Sequence, residues 1–90
     1  MNRKLTAYLD AVEGYINSVT RAILNDEGSY PIAMEDDEGP YMRFIRIPSP
    51  QTAGTETQKR DYARMKAQEI VEDMKEWNPH LNYDTFTQHA

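Results

Sequence analysis

Ninety residues suffice for one domain with a single shared core, because a chain of this size buries only roughly 60–65% of its unfolded surface. The absence of cysteine excludes a disulfide framework and thiolate metal sites. Fifteen acidic against ten basic side chains give a net charge of −5, which argues against general affinity for nucleic-acid phosphates or anionic membranes and allows the opposite relation, binding to something basic.

From Leu5 to Leu24 the apolar residues Leu5, Tyr8, Leu9, Val12, Tyr15, Ile16, Val19 and Ile23 recur in steps of three and four, the spacing of one helical face. Asp10, Glu13, Asn17 and Arg21 take the other face, and Asn2 or Thr6 is suited to cap the start. Asp10 and Glu13 also interrupt any apolar run after the basic Met1-Asn2-Arg3-Lys4, so a signal peptide is not expected. Asn25-Asp26-Glu27-Gly28 should end the helix, with Gly28 in the left-handed position.

Ser29 to Met34 alternates Tyr30, Ile32 and Met34 on one side, as a strand does. Pro31 has no N–H to donate and belongs at a sheet edge. Glu35, Asp36, Asp37 and Glu38 follow as four contiguous carboxylates and predict a solvated turn. Tyr41, Arg43, Ile45 and Ile47 then alternate with Met42, Phe44 and Arg46. Neither set is purely polar, so this second strand is expected to be partly covered on both sides or to give one face to a partner.

Ser49 to Gly54 reads as a loop, and Thr55-Glu56-Thr57-Gln58 as a capping box. The second helix should run from about Glu56 to Trp77, burying Ala63, Met65, Ala67, Ile70, Val71, Met74 and Trp77. Pro79 forces its end, because the residue before a proline is pushed out of the helical region. In the tail, Leu81, Tyr83 and Thr85 alternate as a third strand would, whereas Asn82 to Phe86 fits a capped helical turn. A two-stranded hairpin alone is marginal, which favours the third strand, or docking of Tyr83 and Phe86. The whole is an α+β domain, residues 1–90, of order α-β-β-α with a short C-terminal strand or helical turn, its two long amphipathic helices packed on a small antiparallel sheet.

No catalytic or phosphate-binding motif occurs, so no catalytic residue, metal or cofactor is predicted. His80 and His89 have no clustered ligands around them and read as surface groups. The acidic turn lacks the alternate spacing and late glutamate of a calcium loop. It reads as plain solvated turn, as a contact surface for a basic partner, or as a weak cation site. The second helix carries Lys59, Arg60, Arg64 and Lys66 first and Glu69, Glu72, Asp73 and Glu76 last, against its own dipole. Tyr41, Arg43, Phe44 and Arg46 are the one group suited to stacking on bases, and the adjoining acids oppose it.

The resulting expectation is a cytoplasmic, non-enzymatic protein-binding module. Glu35, Asp36, Asp37, Glu38, Glu69, Glu72, Asp73 and Glu76 would engage a protein partner with a basic surface, with no direct nucleic-acid or membrane binding. Its concrete form is a small acidic inhibitor occupying a nucleic-acid-binding surface, a mode shared by class analogy with phage-encoded anti-defence proteins. The alternative is a homodimer or larger homo-oligomer assembled through the bipolar second helix.

Overall fold

Asn2 opens the first helix, α1 (Arg3–Leu24), by accepting hydrogen bonds from the Lys4 and Leu5 amides at 3.0 and 3.2 Å. The computed structural model describes residues 2–89. It has an α+β fold in the order α1, β1 (Ser29–Asp36), β2 (Gly39–Arg46), α2 (Glu56–Met74) and α3 (Tyr83–His89). No helix among the described residues is long and apolar enough to cross a membrane.

The end of α1 differs from expectation. Asp26, not Gly28, takes the left-handed position at the helix end (φ 54°), while the Asp26 and Glu27 amides donate to the Ile23 and Ala22 carbonyls. These are the paired bonds of a Schellman ending, and a short polar side chain tolerates that backbone. Gly28 (φ 79°) instead turns the chain into β1.

β1 and β2 form a two-stranded antiparallel sheet in which Ser29 faces Arg46 and Asp36 faces Gly39. Ile32 and Ile47 enter the core from this hairpin, with Tyr30, Met34 and Ile45 partly buried beside them. The Tyr30 hydroxyl donates to Ser18 Oγ at 2.9 Å, and the Arg43 guanidinium lies 3.7 Å from the centre of the Trp77 ring. The hairpin is thereby fastened to α1 and to the segment just past the end of α2.

The capping box forms as read. The Gln58 amide donates to Thr55 Oγ1 and the Thr55 amide to Gln58 Oε1. From this start α2 runs antiparallel to α1. Leu24 shares a cleft with Glu56 and Lys59 at one end, and the Tyr8 hydroxyl bonds the Leu81 carbonyl at the other. Ala63, Ala67, Val71 and Met74 face Val12, Ile16, Val19 and Ile23 across one core.

Three expectations for α2 fail. Met65 is 46% exposed, because it lies about 200° around the helix from Ala63. Ile70 is only partly buried and packs on the margin of the core. On α1, Leu5 and Leu9 are in phase with the buried Ile16 yet stand 44% and 54% exposed. α2 ends at Met74 rather than Trp77 and so stops short of Leu5, at the start of the stripe.

The tail is a helix, not a third strand. Asn82 caps it by accepting from the Thr85 amide at 3.2 Å, and Leu81 is fully buried just before it. Tyr83 and Phe86, one turn apart, close on Tyr8 with ring centres 5.3 and 5.7 Å away. That aromatic contact and the cap outweigh the period-two pattern. The Tyr8 hydroxyl donates to the Leu81 carbonyl at 2.6 Å in a part-buried setting. Tyr8→Phe should therefore lower stability by about 1 kcal/mol, a fall in Tm of about 4–8 °C for a domain of this size. An unchanged thermal melt would show that water replaces the bond at no cost.

The helix pair and hairpin make a flat body, 43 × 37 × 16 Å with a radius of gyration of 14.5 Å. A globular chain of this length would have a radius of about 12 Å. The excess reflects a thin body whose hairpin keeps one face bare.

Candidate interaction surface

The turn is tighter than the run of acids suggests. Glu35 and Asp36 belong to β1, and only Asp37 and Glu38 bridge the strands. The Asp36 carboxylate accepts from the Glu38 amide at 2.8 Å, and Gly39 supplies a φ of 117° that a side chain would resist. All four carboxylates are exposed. None has a cation within ion-pair distance among the described residues, whereas Glu13, Glu56, Glu69 and Glu72 all do. The four do not share a face, since side chains alternate across a strand. Glu35 lies on the outer side of the sheet, Asp36 is turned into the bend, and Asp37 and Glu38 form the tip.

That outer side is where the sequence pattern was ambiguous. Pro31 faces Phe44 and Ala33 faces Met42 across the strands, and all four are exposed. Phe44 is 66% and Met42 52% exposed. Tyr41 and Arg43 point to the inner side with Ile45, while Phe44 and Arg46 point outward. The four residues considered as a base-stacking group are thus split between two faces.

The acids of α2 stand differently. Glu69 pairs with Lys66 at 3.7 Å and Glu72 with Lys75 at 2.8 Å, each three residues away. Asp73 and Glu76 are exposed without an ion pair among the described residues. Arg64 reaches across to Glu13 and Asn17 of α1, and Glu56 pairs with Lys59. Antiparallel packing also supplies a reason for the charge order. The basic start of α2 lies beside the negative end of the α1 dipole and its acidic end beside the positive one. The order that opposes α2's own dipole suits its neighbour's. This removes the main reason to read α2 as a bipolar assembly surface.

Both acidic groups nevertheless sit at one end of the molecule. Glu35 lines a cleft of about 560 Å³ with Met34, Pro40, Pro79 and His80, shortly after the last turn of α2, which carries Glu72 and Asp73, and Glu76 just past its end. Its size is that of a small-molecule site, and Glu35 and His80 are the ionisable side chains in its lining, with no serine, cysteine or lysine among them. No group of three or more histidine, aspartate or glutamate side chains among the described residues is arranged to hold a metal ion. His80 is exposed, and the side chain of His89 lies outside the described residues. Asn78, which sequence reading treated only as a helix stop, is fully buried. It accepts from the His80 amide at 3.0 Å while its Nδ2 has no partner among the described residues.

No protein family matches the chain, and neither does any curated protein or solved structure.

Proposed function

We propose that this protein is a non-enzymatic protein-binding module that acts by occupying a surface, and that the hairpin is its contact element. The observation that supports this most is the pairing of an exposed apolar strip, Met42 and Phe44 at 52% and 66%, with an acidic turn that no described cation neutralises. An apolar patch rimmed by charge is the usual anatomy of a protein contact. The charge sign calls for a basic partner surface. Asp73 and Glu76 at the same end of the molecule extend the acidic field, with Glu69 and Glu72 contributing less because lysines already pair them. Basic surfaces commonly serve nucleic acid, so the specific form of this reading is inhibition of a nucleic-acid-handling complex by occupying that surface, as phage anti-defence proteins do.

Charge complementarity acts mainly on the encounter rate. With the partner recovered by affinity capture from the cells that make the protein, Asp36→Asn with Asp37→Asn should slow association. It should also flatten the dependence of that rate on ionic strength, while dissociation changes little. Identical slopes for parent and variant would reduce the acidic turn to ordinary solvated loop.

A further inference from the structure

The hydrogen-bond parity of the hairpin shows which of its two edges is open. The Ile47 amide donates to the Gly28 carbonyl at 3.1 Å, which makes Gly28 and Ile47 a hydrogen-bonded pair. In an antiparallel ladder such pairs alternate with non-bonded ones. With the observed register, Tyr30–Ile45, Ile32–Arg43 and Met34–Tyr41 are bonded inward. The backbone groups of the residues between them point outward. Two prolines confirm the parity, because Pro31 and Pro40 both fall at outward positions, where no N–H is needed inside the hairpin.

The two edges are therefore unequal. On β1, Pro31 breaks the outward row at its centre. On β2, the outward amides of Met42, Phe44 and Arg46 form an unbroken row, with Pro40 before it and Pro48 after it. No backbone group among the described residues pairs with these three amides, and the sheet has no third strand. An open row of this kind is a template for strand addition.

We infer that the β2 edge pairs antiparallel with the β2 edge of a second copy of this chain, with Phe44 opposite Phe44 across a twofold axis. The edge is self-complementary in that register. Met42 lies opposite Arg46 of the second copy, so all three amides of each copy find carbonyls, about six hydrogen bonds in total. Pro40 falls opposite Pro48 of the second copy, where neither has a donor to leave unpaired.

Charge favours the same arrangement. Strand spacings of ~4.8 Å and a rise of ~3.4 Å per residue place Arg46 about 12 Å from Glu35 of the second copy, between Cα atoms on one face, against about 21 Å from its own Glu35. The resulting four-stranded sheet also escapes the marginal stability of a lone two-stranded hairpin. Its outer face joins the two exposed Phe44 strips into one surface and leaves the acidic tips at opposite ends. The contact is one short strand, well below the ~1,200–2,000 Å² of standard stable interfaces, so the dimer is a weak one. This inference goes beyond the proposed binding role and is tested on the isolated protein, so its failure leaves that reading standing.

The chain has no cysteine, so single cysteines report position cleanly. Residues opposite one another in a hydrogen-bonded pair lie ~5.5 Å apart between Cα atoms, within disulfide range. In a glutathione redox buffer, Phe44→Cys should form a covalent dimer roughly tenfold or more faster than Ala33→Cys, whose two copies are three strands apart, because pairing raises the effective thiol concentration. In sedimentation equilibrium from micromolar to millimolar protein, the parent should rise towards twice the chain mass. Phe44→Lys, an exposed change that leaves the core intact, should stay at one. Equal cross-linking at the two positions, a parent that stays monomeric throughout, or a dimer that survives Phe44→Lys would each overturn the inference.

Discussion

Ile23→Ala should be among the most damaging single substitutions in α1. The side chain is completely buried, in the stretch of α1 covered by α2. Removing it costs the transfer free energy of the lost carbons and leaves a cavity, together about 2–5 kcal/mol. A ninety-residue domain has a total stability on the order of 5–13 kcal/mol. At about 4–8 °C per kcal/mol, the thermal midpoint should fall by about 8–40 °C. Ile70→Ala is the matched control. The same atoms are removed from a side chain that only borders the core, so its loss should be clearly smaller. Circular-dichroism melts of the two variants decide the matter, and equal midpoints would contradict the burial described for α1.

The contrast between these isoleucines marks where sequence reasoning works and where it stops. Helical spacing identified Val12, Ile16, Val19, Val71 and Met74 as core residues, since a stripe at steps of three and four has to bury itself against something. It could not tell where the covering element ends, and so it placed Leu5 and Leu9 inside. The capping box at Thr55 was legible because both its bonds are local. The tail was not, because Leu81, Tyr83 and Thr85 satisfy a strand period while Asn82 satisfies a helix cap. The choice between them is made by Tyr8, some seventy residues earlier. The charge order of α2 was puzzling for a similar reason. Its complement is the neighbouring helix, whose direction no local pattern encodes. At the hairpin, alternation showed that both faces carry apolar side chains. Only the packing shows that Phe44 and Met42 belong to the bare one, and the acids of the turn were located without any indication of what they meet.

The hairpin is the part of the molecule with the fewest anchors, and Ile32→Ala tests how far it stands apart. Ile32 is 1% exposed and is the deepest residue that β1 contributes. Ile47, just past the end of β2, is the hairpin's other buried anchor, and the polar attachments are lighter. The Tyr30–Ser18 hydrogen bond is part-buried, and the Arg43–Trp77 contact involves an exposed arginine, worth about 0.5–1 kcal/mol. Truncating Ile32 should therefore cost about 2–5 kcal/mol, and the loss should be uneven. A hairpin freed from its support is marginal in water, whereas α1 and α2 keep Val12, Val19, Ile23, Ala67 and Val71 packed between them. Local opening of this kind is read directly by amide hydrogen exchange. In the variant, the inward-bonded amides of Tyr30, Ile32 and Ile45 should lose nearly all protection, while the central amides of α1 keep most of theirs. Arg43→Ala should move the same amides in the same direction by much less. A uniform loss of protection across hairpin and helices would mean that Ile32 belongs to one cooperative unit with α1, and that the hairpin does not open on its own.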